Sequence, residues 1–555
     1  MVLILKDCFL IGFVIFWTIV FAKKIIFWTY LWQLKEYHWA RFKSHFSTHN
    51  GKKAIFNFLN FFKLILIIFP GILFVLSLQP NQEFFVLYLF LISLIFAAEG
   101  IVFLKNLFAK SFAFPKITLK TLIILFLGFL TLFSAIFISF FFDPESFFYY
   151  LLLADFFAPL IISFLVFIAH LIAIIWRWNL IKQAMEKRQK FNRLLVVGIT
   201  GSYGKSSTKE FLYAILKNHF NILKTTANQN SEVGISKCIL ENLNENHEVF
   251  ICEMGAYSKG GVRLLSEIAK PKIGILTGIN EQHLSVFGSQ EKIIATKYEL
   301  IESLPQEGLA VFNGDNAYCQ DLYEKTTGIS EKIVFSEIPK NLTAIKFWLW
   351  RDLWAETIQE EKDCLKFKLC SKEEALEIKT KILGKHNIAN LLMSVVVAKQ
   401  LGMTLEEIAK EIENLSPELG AIKLKKTKDG LNIIDSSYSA NPNGVLADLD
   451  YLKNWPGKKI IIMPSLIELG KTAPSIHYKI GEKIAETCDL AIITTRDYFK
   501  DLKTGAENKN KDIKIYYSSN PREIKKILTD LDFLSDVILL EGRSPENIKN
   551  MIYNL

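Results

Sequence analysis

The chain has 555 residues, enough for three or four domains. Hydrophobic residues make up 51% of it and concentrate before about Trp178, which is unusual for a purely soluble protein. The net charge of +9 does not indicate nucleic-acid binding, because the lysines stand in short loops between apolar runs or are scattered over the rest. Seven cysteines, odd in number and without a CxxC pair, exclude a disulfide framework and favour reduced, mostly buried thiols.

The first part of the chain contains apolar runs long enough to cross a bilayer as helices, for which about 20 residues suffice. We find five such runs, at about 3–22, 58–78, 84–104, 121–142 and 147–176. No small-residue cleavage site follows the first run, and basic, aromatic sequence comes next. We therefore interpret it as a retained span and not as a signal peptide.

The loops between the runs predict the orientation. Lys and Arg concentrate in the loops after the first and third runs: Lys23, Lys24, Lys35, Arg41, Lys43, Lys52, Lys53, Lys105, Lys110, Lys116 and Lys120. The other two connections, LQPNQE and FDPES, contain neither residue. Because short Lys/Arg-rich loops stay in the cytoplasm, the N-terminus is predicted outside and everything after the fifth span inside.

Three ionisable residues, Glu99, Asp155 and His170, fall within or near apolar runs. An ionisable group in a membrane is costly and suggests a function. The simpler alternative is that Glu99 and His170 lie near helix ends and reach the interface. Asp155 precedes Pro159 and is expected to line a break in the long last helix.

A phosphate-binding loop is predicted in RLLVVGITGSYGKSSTKEFLYAILKN, residues 193–218. A β-branched run leads into a glycine-rich turn and then a helix, so backbone N–H groups and the helix N-terminus would face phosphate oxygens. Lys205 would reach the β/γ-phosphates and Ser206 would ligate Mg²⁺. The general spacing has Gly where this chain has Ile199, so an unrelated glycine turn is the alternative for the motif alone.

The loop and six later segments resemble the Mur ligase family, and most closely its D-alanyl-D-alanine-adding branch. GITGSYGKSSTKEFL is similar to the family form G-x-T-G-[ST]-x-G-K-[ST]-[ST]. The later segments follow in the family's order: TTANQNSEVGIS, ICEMGAYSKGGV, GINEQHLSVFGSQEKIIATKYEL, LGKHNIANLL, IIDSSYSANPNGVLADLDYL and IMPSLIELG. The resemblance covers about 193–555.

The resemblance implies an ATP-dependent amide-bond ligase. A carboxylate attacks the γ-phosphate, and an amine then attacks the resulting acyl phosphate. The nucleotide would contact the loop residues and three positions further along: Gly201, Ser202, Gly204, Lys205, Ser206, Ser207, Asn387, Asn390 and Asp435. Asn387 and Asn390 match positions facing the adenine and the hinge. Asn228, Asn230, Tyr438 and Asn441 would contact substrate.

The resemblance also implies two Mg²⁺ ions. Ser206 and Glu253 would hold the first, and Glu253 ends the apolar strand VFICE, where an acid suits Mg²⁺. His283 and Lys297 would serve the second, Lys297 as a carbamate. Lys205, His283 and Lys297 are thus the expected catalytic residues. A surface acid, a structural histidine and a solvated helix lysine are the respective alternatives.

Three features depart from the family pattern. The arginine expected at the start of the C-terminal domain falls on Ala421, with Lys423 or Lys425 as possible substitutes, although lysine lacks the bidentate fork. The second acid of D-D-S-Y falls on Ser436. ILLEGRSPENI stands where the pattern has K-G-S-R. In addition, five spans occupy the place of a UDP-binding domain.

We therefore predict a transmembrane domain (1–182), a central, mainly parallel α/β ATPase domain (190–415) and a smaller Rossmann-like α/β domain (420–555). Strands are expected near 194–198, 249–253, 273–277 and 309–313, and at IIIMP, AIIT and VILLE. The expected location is the cytoplasmic membrane, multi-pass, with the catalytic domains in the cytoplasm.

Three functions compete at this stage. The first is addition of D-alanyl-D-alanine to a muramoyl tripeptide in peptidoglycan precursor synthesis. The second is ligation by the same core to another acceptor, such as a lipid-linked muropeptide or a polyglutamate-like one. The third is a non-catalytic nucleotide-binding membrane scaffold, suggested by Ala421 and Ser436. The expected partners are the acceptor, the dipeptide and the lipid bilayer, without nucleic acid.

Overall fold

The computed structural model describes residues 2–75, 82–139, 141, 144–226, 229–336, 351–438, 440–528 and 530–555. The chain forms two compact units, Met1–Trp178 and Asn179–Leu555. Each is described by itself below. All seven cysteines are free, and six of them are buried, whereas Cys8 is exposed.

The first unit is helical. Its helices are α1 (Val2–Leu34), α2 (Trp39–His45), α3 (His49–Ile55), α4 (Phe58–Val75), α5 (Gln82–Phe108), α6 (Leu119–Ser139) and α7 (Pro144–Gln189). Among the described residues, four segments are long and apolar enough to cross a membrane: Leu5–Leu34, Gln82–Phe108, Leu119–Ile138 and Phe148–Gln189. The remaining predicted span, 58–78, coincides with α4 up to Val75, and residues 76–81 lie outside the described residues.

Contacts between these helices give their directions. Trp17 and Trp32 of α1 donate to Leu151 O and Ser163 Oγ of α7, at 2.8 and 3.0 Å, so α1 and α7 run the same way. Gln33 of α1 instead donates to Thr121 at the start of α6, which runs the opposite way. Helices α1 and α7 are therefore parallel to each other, and α6 is antiparallel to both.

The break expected in the last helix is absent. α7 continues through Pro159 as one helix. Ser163 Oγ donates to Pro159 O at 2.7 Å, and the neighbouring turns remain helical. A proline inside a helix removes one backbone hydrogen bond, but packing on both sides can hold the helix together. The expectation of a break beside Asp155 was therefore wrong.

The second unit begins with a nine-stranded sheet in the order β2-β3-β1-β4-β5-β6-β7-β8-β9. Its strands are β1 (Leu195–Thr200), β2 (Ile222–Lys224), β3 (Val249–Glu253), β4 (Ile273–Leu276), β5 (Leu309–Asn313), β6 (Ser330–Phe335), β7 (Arg351–Glu360), β8 (Leu365–Ser371) and β9 (Ala375–Thr380). Neighbours from β2 to β7 pair in parallel, whereas β7, β8 and β9 pair antiparallel. The four strands predicted here are confirmed.

Helices cover both faces of this sheet, as parallel strands require. They are α8 (Lys205–Leu216), α9 (Glu232–Asn242), α10 (Gly261–Ala269), α11 (Leu284–Phe287), α12 (Gln290–Glu302), α13 (Ala317–Lys325), α14 (Asn387–Gln400) and α15 (Leu405–Glu413). α14 is buried over nearly its whole length and packs against α8, the helix that follows the predicted phosphate loop.

A second sheet of six strands follows, in the order β10-β11-β15-β12-β13-β14. The strands are β10 (Lys423–Lys426), β11 (Asn432–Ser436), β12 (Lys459–Met463), β13 (Leu490–Ile493), β14 (Lys514–Tyr517) and β15 (Val537–Glu541). Its helices are α16 (Pro442–Leu452), α17 (Ala473–Thr487), α18 (Phe499–Lys509), α19 (Pro521–Ile527) and α20 (Glu546–Tyr553). All pairs are parallel except β10 with β11, so the smaller α/β domain is confirmed.

Candidate nucleotide and metal site

The turn between β1 and α8 has the backbone that a phosphate loop requires. Gly204 caps α8 at φ +78°, in the left-handed region that glycine adopts without steric cost because it has no Cβ. A Cβ at this position would lie 2.7 Å from Asn390 Oδ1. The turn is therefore held tightly against α14, and the first N–H groups of α8 face outward from the end of β1.

Lys205 begins α8 and folds back over the loop. Its Nζ donates to Gly201 O at 2.8 Å and Ser202 O at 3.3 Å. Burial lowers the pKa of Lys205, and the Glu253 carboxylate opposes that change. The ammonium is thus held at the loop, where it can meet a phosphate oxygen.

Glu253 ends β3, next to β1, and is the centre of a polar cluster. Ser206 Oγ donates to both of its oxygens, at 3.1 and 3.0 Å. Lys209 Nζ lies 3.2 Å from Oε2, and Asn230 Nδ2 donates to Oε1 at 3.3 Å. Burial opposes the charge on Glu253, but Lys205, Lys209 and Asn230 outweigh it and lower the pKa. The acid is therefore a fixed anion beside the loop.

His283 lies in the loop after β4, at φ +69°. Its Nδ1 lies 2.5 Å from Glu468 Oε2, a residue of the C-terminal domain, and Ser285 N donates to Glu468 O at 3.1 Å. Burial lowers the pKa of His283, whereas the Glu468 hydrogen bond raises it, and the net effect is a lower pKa. A neutral imidazole oriented by a carboxylate is the form that binds metals.

Lys297 lies inside the same domain, on α12. It is 3% exposed, and its Nζ donates to Ala256 O at 3.4 Å. Burial, together with the nearby Lys205 charge, lowers the pKa of Lys297 to about 7. A solvated helix lysine is therefore excluded, and a large fraction of the amine is neutral at physiological pH.

Asn387 and Asn390 support the loop from α14. Asn390 Oδ1 accepts from Thr208 Oγ1 at 3.2 Å, and its Nδ2 donates to Asn387 Oδ1 at 3.2 Å. Asn387 is fully buried and donates to Leu383 O at 2.7 Å. These contacts give the two side chains a role in positioning the loop, and a contact with adenine stays a prediction.

Segments far apart in sequence meet at the loop after β4. Asn280 Nδ2 donates to Asn441 Oδ1 at 3.1 Å and to Asn443 Oδ1 at 2.8 Å, both at the start of α16. With the His283–Glu468 contact, this brings the GINEQHL, SANPN and IELG segments together. Asn441 also accepts from Gly444 N at 3.2 Å and so caps α16.

The C-terminal domain contains a cavity of about 430 Å³ beside β10, β11 and β15. It is lined by Ala421, Lys423, Lys425, Asp435, Ser437, Tyr438, Arg543, Ser544, Glu546 and Lys549. Lys425 Nζ lies 2.8 Å from Asp435 Oδ2, and Tyr553 donates to the same oxygen at 2.6 Å. Burial opposes the charge of Asp435, but these donors and Ser437 lower its pKa. Arg543 lines this cavity together with Ala421, the position where the family pattern has arginine.

Ser436 and Glu541 are partners in the register of β11 with β15. Ser436 Oγ donates to Asp448, and Glu541 is 1% exposed. Burial and the neighbouring Asp448 carboxylate raise the pKa of Glu541 well above its ordinary value. The position where the family pattern has Asp thus lies beside two buried acids, Asp448 and Glu541.

The remaining sequence-predicted residues lie at different places. Gly201, Ser202 and Ser207 lie in the phosphate loop and the first turn of α8. Tyr438 lines the cavity of the C-terminal domain and is 65% exposed. Asn228 lies outside the described residues. The sequence reasoning missed Lys209, Asn280, Glu468 and Arg543, although Glu468 stands in the quoted ELG segment and Arg543 in EGRS.

Comparison with known proteins agrees with this geometry. The Mur ligase middle domain matches residues 199–398. A UDP-N-acetylmuramoyl-tripeptide–D-alanyl-D-alanine ligase of Buchnera aphidicola is 30% identical over 343 residues, 60% of this chain and 71% of that protein. The Bacillus subtilis ligase of the same name is 29% identical over 295 residues, 52% of this chain and 60% of its own length.

Solved structures show the same fold. MurF from Acinetobacter baumannii aligns with a TM-score of 0.61 at 24% identity, over 68% of this chain and 80% of that one. MurF from Thermotoga maritima, in complex with ADP, aligns with a TM-score of 0.57 at 25% identity, over 68% and 83%.

Together these observations define the class: the chain belongs to the Mur ligase family. Within it, the relatives and structures named above are the D-alanyl-D-alanine-adding ligases. The match spans about 60% of the length of the Bacillus subtilis relative, and the helical unit lies before the matched middle domain.

Proposed function

We propose that this chain is an ATP-dependent, ADP-forming amide-bond ligase that adds D-alanyl-D-alanine to a muramoyl tripeptide. The observation that carries the proposal is the Ser206–Glu253 contact beside Lys205, with both oxygens of the acid within 3.1 Å of the hydroxyl. Phosphoryl transfer needs positioning and charge neutralisation, which a phosphate loop and an adjacent buried acid provide. The names of the relatives supply the two substrates.

The donor set fits Mg²⁺. A carboxylate and a hydroxyl are hard oxygen ligands, so Glu253 and Ser206 would hold one ion. We assign His283 and Lys297 to a second, with Lys297 as a carbamate. Such ions would neutralise phosphate charge.

The state of Lys297 supports its modification. Its neutral Nζ attacks the carbon of CO₂, a new N–C bond forms, and one amine proton leaves to solvent. The product is an anion with oxygen ligands in place of a cation. A pKa near 7 makes the required neutral amine abundant.

The first reaction step follows from the loop. A carboxylate oxygen of the tripeptide attacks the γ-phosphorus of ATP, the bond to the bridging oxygen breaks, and ADP leaves. Lys205 exchanges its loop carbonyls for phosphate oxygens, and the N–H groups at the start of α8 stabilise the charge that moves toward ADP.

The second step joins the amine. The neutral amine of the dipeptide attacks the acyl carbon, phosphate leaves, and the amine gives up a proton. Arg543, Lys423 and Lys549 line the cavity of the C-terminal domain, where a guanidinium and two ammonium groups suit the free carboxylate of the dipeptide.

We further propose that the helical unit holds the enzyme in the cytoplasmic membrane, with the ligase domains in the cytoplasm. Its four long apolar segments support this location, and α4 stands where the fifth span is predicted. The acceptor is then UDP-linked or lipid-linked, and another acid at the membrane surface is the second candidate. The alternative of a non-catalytic scaffold was based on Ala421 and Ser436. It is less favoured because Arg543 brings a guanidinium to the cavity that Ala421 lines.

The test uses the detergent-purified chain with ATP, Mg²⁺ and both substrates. Lys205→Ala is expected to lower phosphate release at least 100-fold, by analogy with the loss of one transition-state charge contact. Lys217→Ala, an exposed lysine at the other end of α8, is the matched control and should keep wild-type rates. Equal rates for Lys205→Ala and the wild type would refute the assignment.

A further inference from the structure

Glu468, in the loop after β12, reaches from the C-terminal domain to the predicted metal ligand His283 of the central domain. Its Oε2 lies 2.5 Å from His283 Nδ1, and its backbone O accepts from Ser285 N at 3.1 Å. The Glu468 side chain is 7% exposed and the His283 side chain 24%. One residue of the C-terminal domain therefore contacts both the imidazole and the backbone beside it.

Both partners of this contact have a backbone conformation that residues other than glycine rarely adopt. His283 has φ +69° and Glu468 has φ +66°, both in the left-handed region. Such a conformation costs free energy and persists where the surrounding structure holds it, which is frequent at functional sites. Two such residues in contact with each other indicate that this contact has a function.

The loop that carries Glu468 is fixed on both sides. Within its own domain, Leu466 N donates to His477 Nε2 at 2.9 Å. Toward the central domain, a Cβ on Gly470 would lie only 3.3 Å from Ser285 N, so the two backbones approach closely. The Glu468 carboxylate is thus presented to the imidazole from a rigid loop.

The contact decides which imidazole nitrogen is available to a metal. A carboxylate accepts hydrogen bonds, so Glu468 keeps the ring proton of His283 on Nδ1 and leaves the lone pair on Nε2. Metal-binding histidines are commonly oriented by such a carboxylate, which also makes the nitrogen a stronger ligand. Here the carboxylate comes from a different domain than the histidine, so the ring is oriented when the two domains are in contact.

We propose that Glu468 is a positioning residue for the second Mg²⁺. It orients His283, and this ion therefore binds tightly only when the central and C-terminal domains are in contact. The inference rests on the proposed function, through the assignment of His283 to the second ion.

Mn²⁺, which takes the same oxygen and imidazole ligands, tests the proposal without turnover. The detergent-purified full chain is titrated with Mn²⁺ and a non-hydrolysable ATP analogue, and electron paramagnetic resonance measures the free ion. The wild type should bind two ions, and spin-echo spectra should show imidazole nitrogen coupled to one of them. Glu468→Ala should weaken that ion about 10- to 100-fold, the usual effect of removing such a partner, and leave the ion at Ser206 and Glu253 unchanged.

Three variants complete the experiment. His283→Asn should abolish the nitrogen signal. Glu468→Gln keeps an oxygen that accepts from Nδ1 and should lose less affinity than Glu468→Ala. Asn443→Ala is the matched control, because Asn443 Oδ1 accepts from Asn280 Nδ2 at 2.8 Å. That variant removes another contact between the same two domains, leaves the His283 contact in place, and should change the affinity for the second ion little.

Unchanged affinity and an unchanged nitrogen signal in Glu468→Ala would overturn the proposal. An equal loss in Asn443→Ala would also overturn it, because Glu468 would then serve domain contact alone. If Glu468→Ala does not fold, the comparison of Glu468→Gln with Asn443→Ala decides in the same way. A wild type without the nitrogen signal would contradict the metal assignment of the proposed function itself, whereas a signal that persists in Glu468→Ala contradicts only the role of Glu468.

Discussion

Lys297 shows how one residue can be predicted in sequence yet interpreted only in structure. Its place in the ATKYEL segment marked it as a family position, and a solvated helix lysine was the alternative. In the structure Lys297 is 3% exposed, and burial together with the charge of Lys205 lowers its pKa to about 7. Both effects arise from elements distant in sequence.

This shift predicts a pH-dependent stability. The folded pKa is about 7 and the ordinary value 10.5, so between these values the unfolded chain binds more protons and stability rises with pH. Lys297→Met lacks this linkage. At pH 6 the free energy of unfolding of Lys297→Met should exceed that of the wild type. This difference should shrink by about 2 to 3 kcal/mol between pH 6 and pH 9, since one pKa unit is worth about 1.4 kcal/mol.

Denaturant unfolding in CO₂-free buffer at the two pH values measures this difference. Lys292→Met, on the exposed face of α12, is the control and should show almost no pH dependence relative to the wild type. A Lys297→Met advantage that is the same at pH 6 and pH 9 would contradict the burial of a titrating amine.

Other site residues divide in the same way. Glu253 could be predicted, because an acid that ends an apolar strand next to the phosphate loop has few other roles. Lys209 and Glu468 could not, because their importance lies in contacts with Glu253 and His283 that only the folded chain creates.

Among the elements, β11 and β15 explain two departures from the family pattern together. Ser436 stands where the pattern has Asp, and Glu541 falls at the Lys of K-G-S-R. The two are register partners in neighbouring strands. Two neighbouring positions that the pattern fills with opposite charges thus hold a serine and a buried acid here, and Asp448 lies beside the serine.

A double-mutant cycle tests this compensation. Ser436→Asp alone adds a third acid to the pair and should destabilise the domain by about 2 kcal/mol or more. Glu541→Lys alone should also destabilise it, whereas the double variant should recover at least about 1 kcal/mol of the summed loss. Urea unfolding of the four proteins gives the coupling, and strictly additive effects would show that the two positions do not interact. Glu541→Gln should be nearly neutral, since burial and Asp448 raise the pKa of that carboxyl well above its ordinary value.

The turn before α8 gives a second prediction at this scale. Gly204→Ala forces alanine into φ +78° and places Cβ 2.7 Å from Asn390 Oδ1. Gly402→Ala has a similar φ of +92° with nothing within 4 Å of the new Cβ. We expect a loss of about 1 kcal/mol for Gly402→Ala and clearly more for Gly204→Ala, with weaker ATP binding only in the latter. Equal losses and equal ATP affinity would contradict the tight fit of loop and α14.

The strands that were predicted correctly are those with continuous apolar sequences. Buried parallel strands such as β3 and β15 are continuous apolar runs, which the sequence displays directly. The antiparallel extension β7–β9 and the strand β10, with the sequence KLKK, were not predicted. Their alternating or charged side chains resemble those of loops, and only pairing with a neighbouring strand makes them strands.

At the scale of the whole molecule, the sequence predicted three domains, one transmembrane and two α/β, whereas the structure has two compact units, with both sheets in the second. It did not predict which segments of the second unit meet. The Asn280–Asn441 and His283–Glu468 contacts join residues 161 and 185 positions apart. Such contacts depend on how two sheets pack, which no local pattern encodes.

The orientation of the helical unit is open to a direct test. The lysine-rich loops predict an N-terminus outside and ligase domains inside. In intact cells, an N-terminal epitope tag should be cleaved by added protease and a C-terminal tag should be protected. Replacing Lys105 and Lys110 by glutamine tests whether the loop charge sets the orientation, and we expect a mixture of both orientations in this variant. A protected N-terminal tag in the wild type would contradict the assigned orientation.

The central claim is that the chain joins a dipeptide to a muramoyl acceptor at the expense of ATP. The most direct measurement is the mass of the product formed by the purified chain with ATP, Mg²⁺, D-alanyl-D-alanine and a UDP-linked or lipid-linked muramoyl tripeptide. We predict one phosphate released per amide formed, with dependence on both substrates and on Lys205. ATP binding without product from either acceptor would contradict the claim.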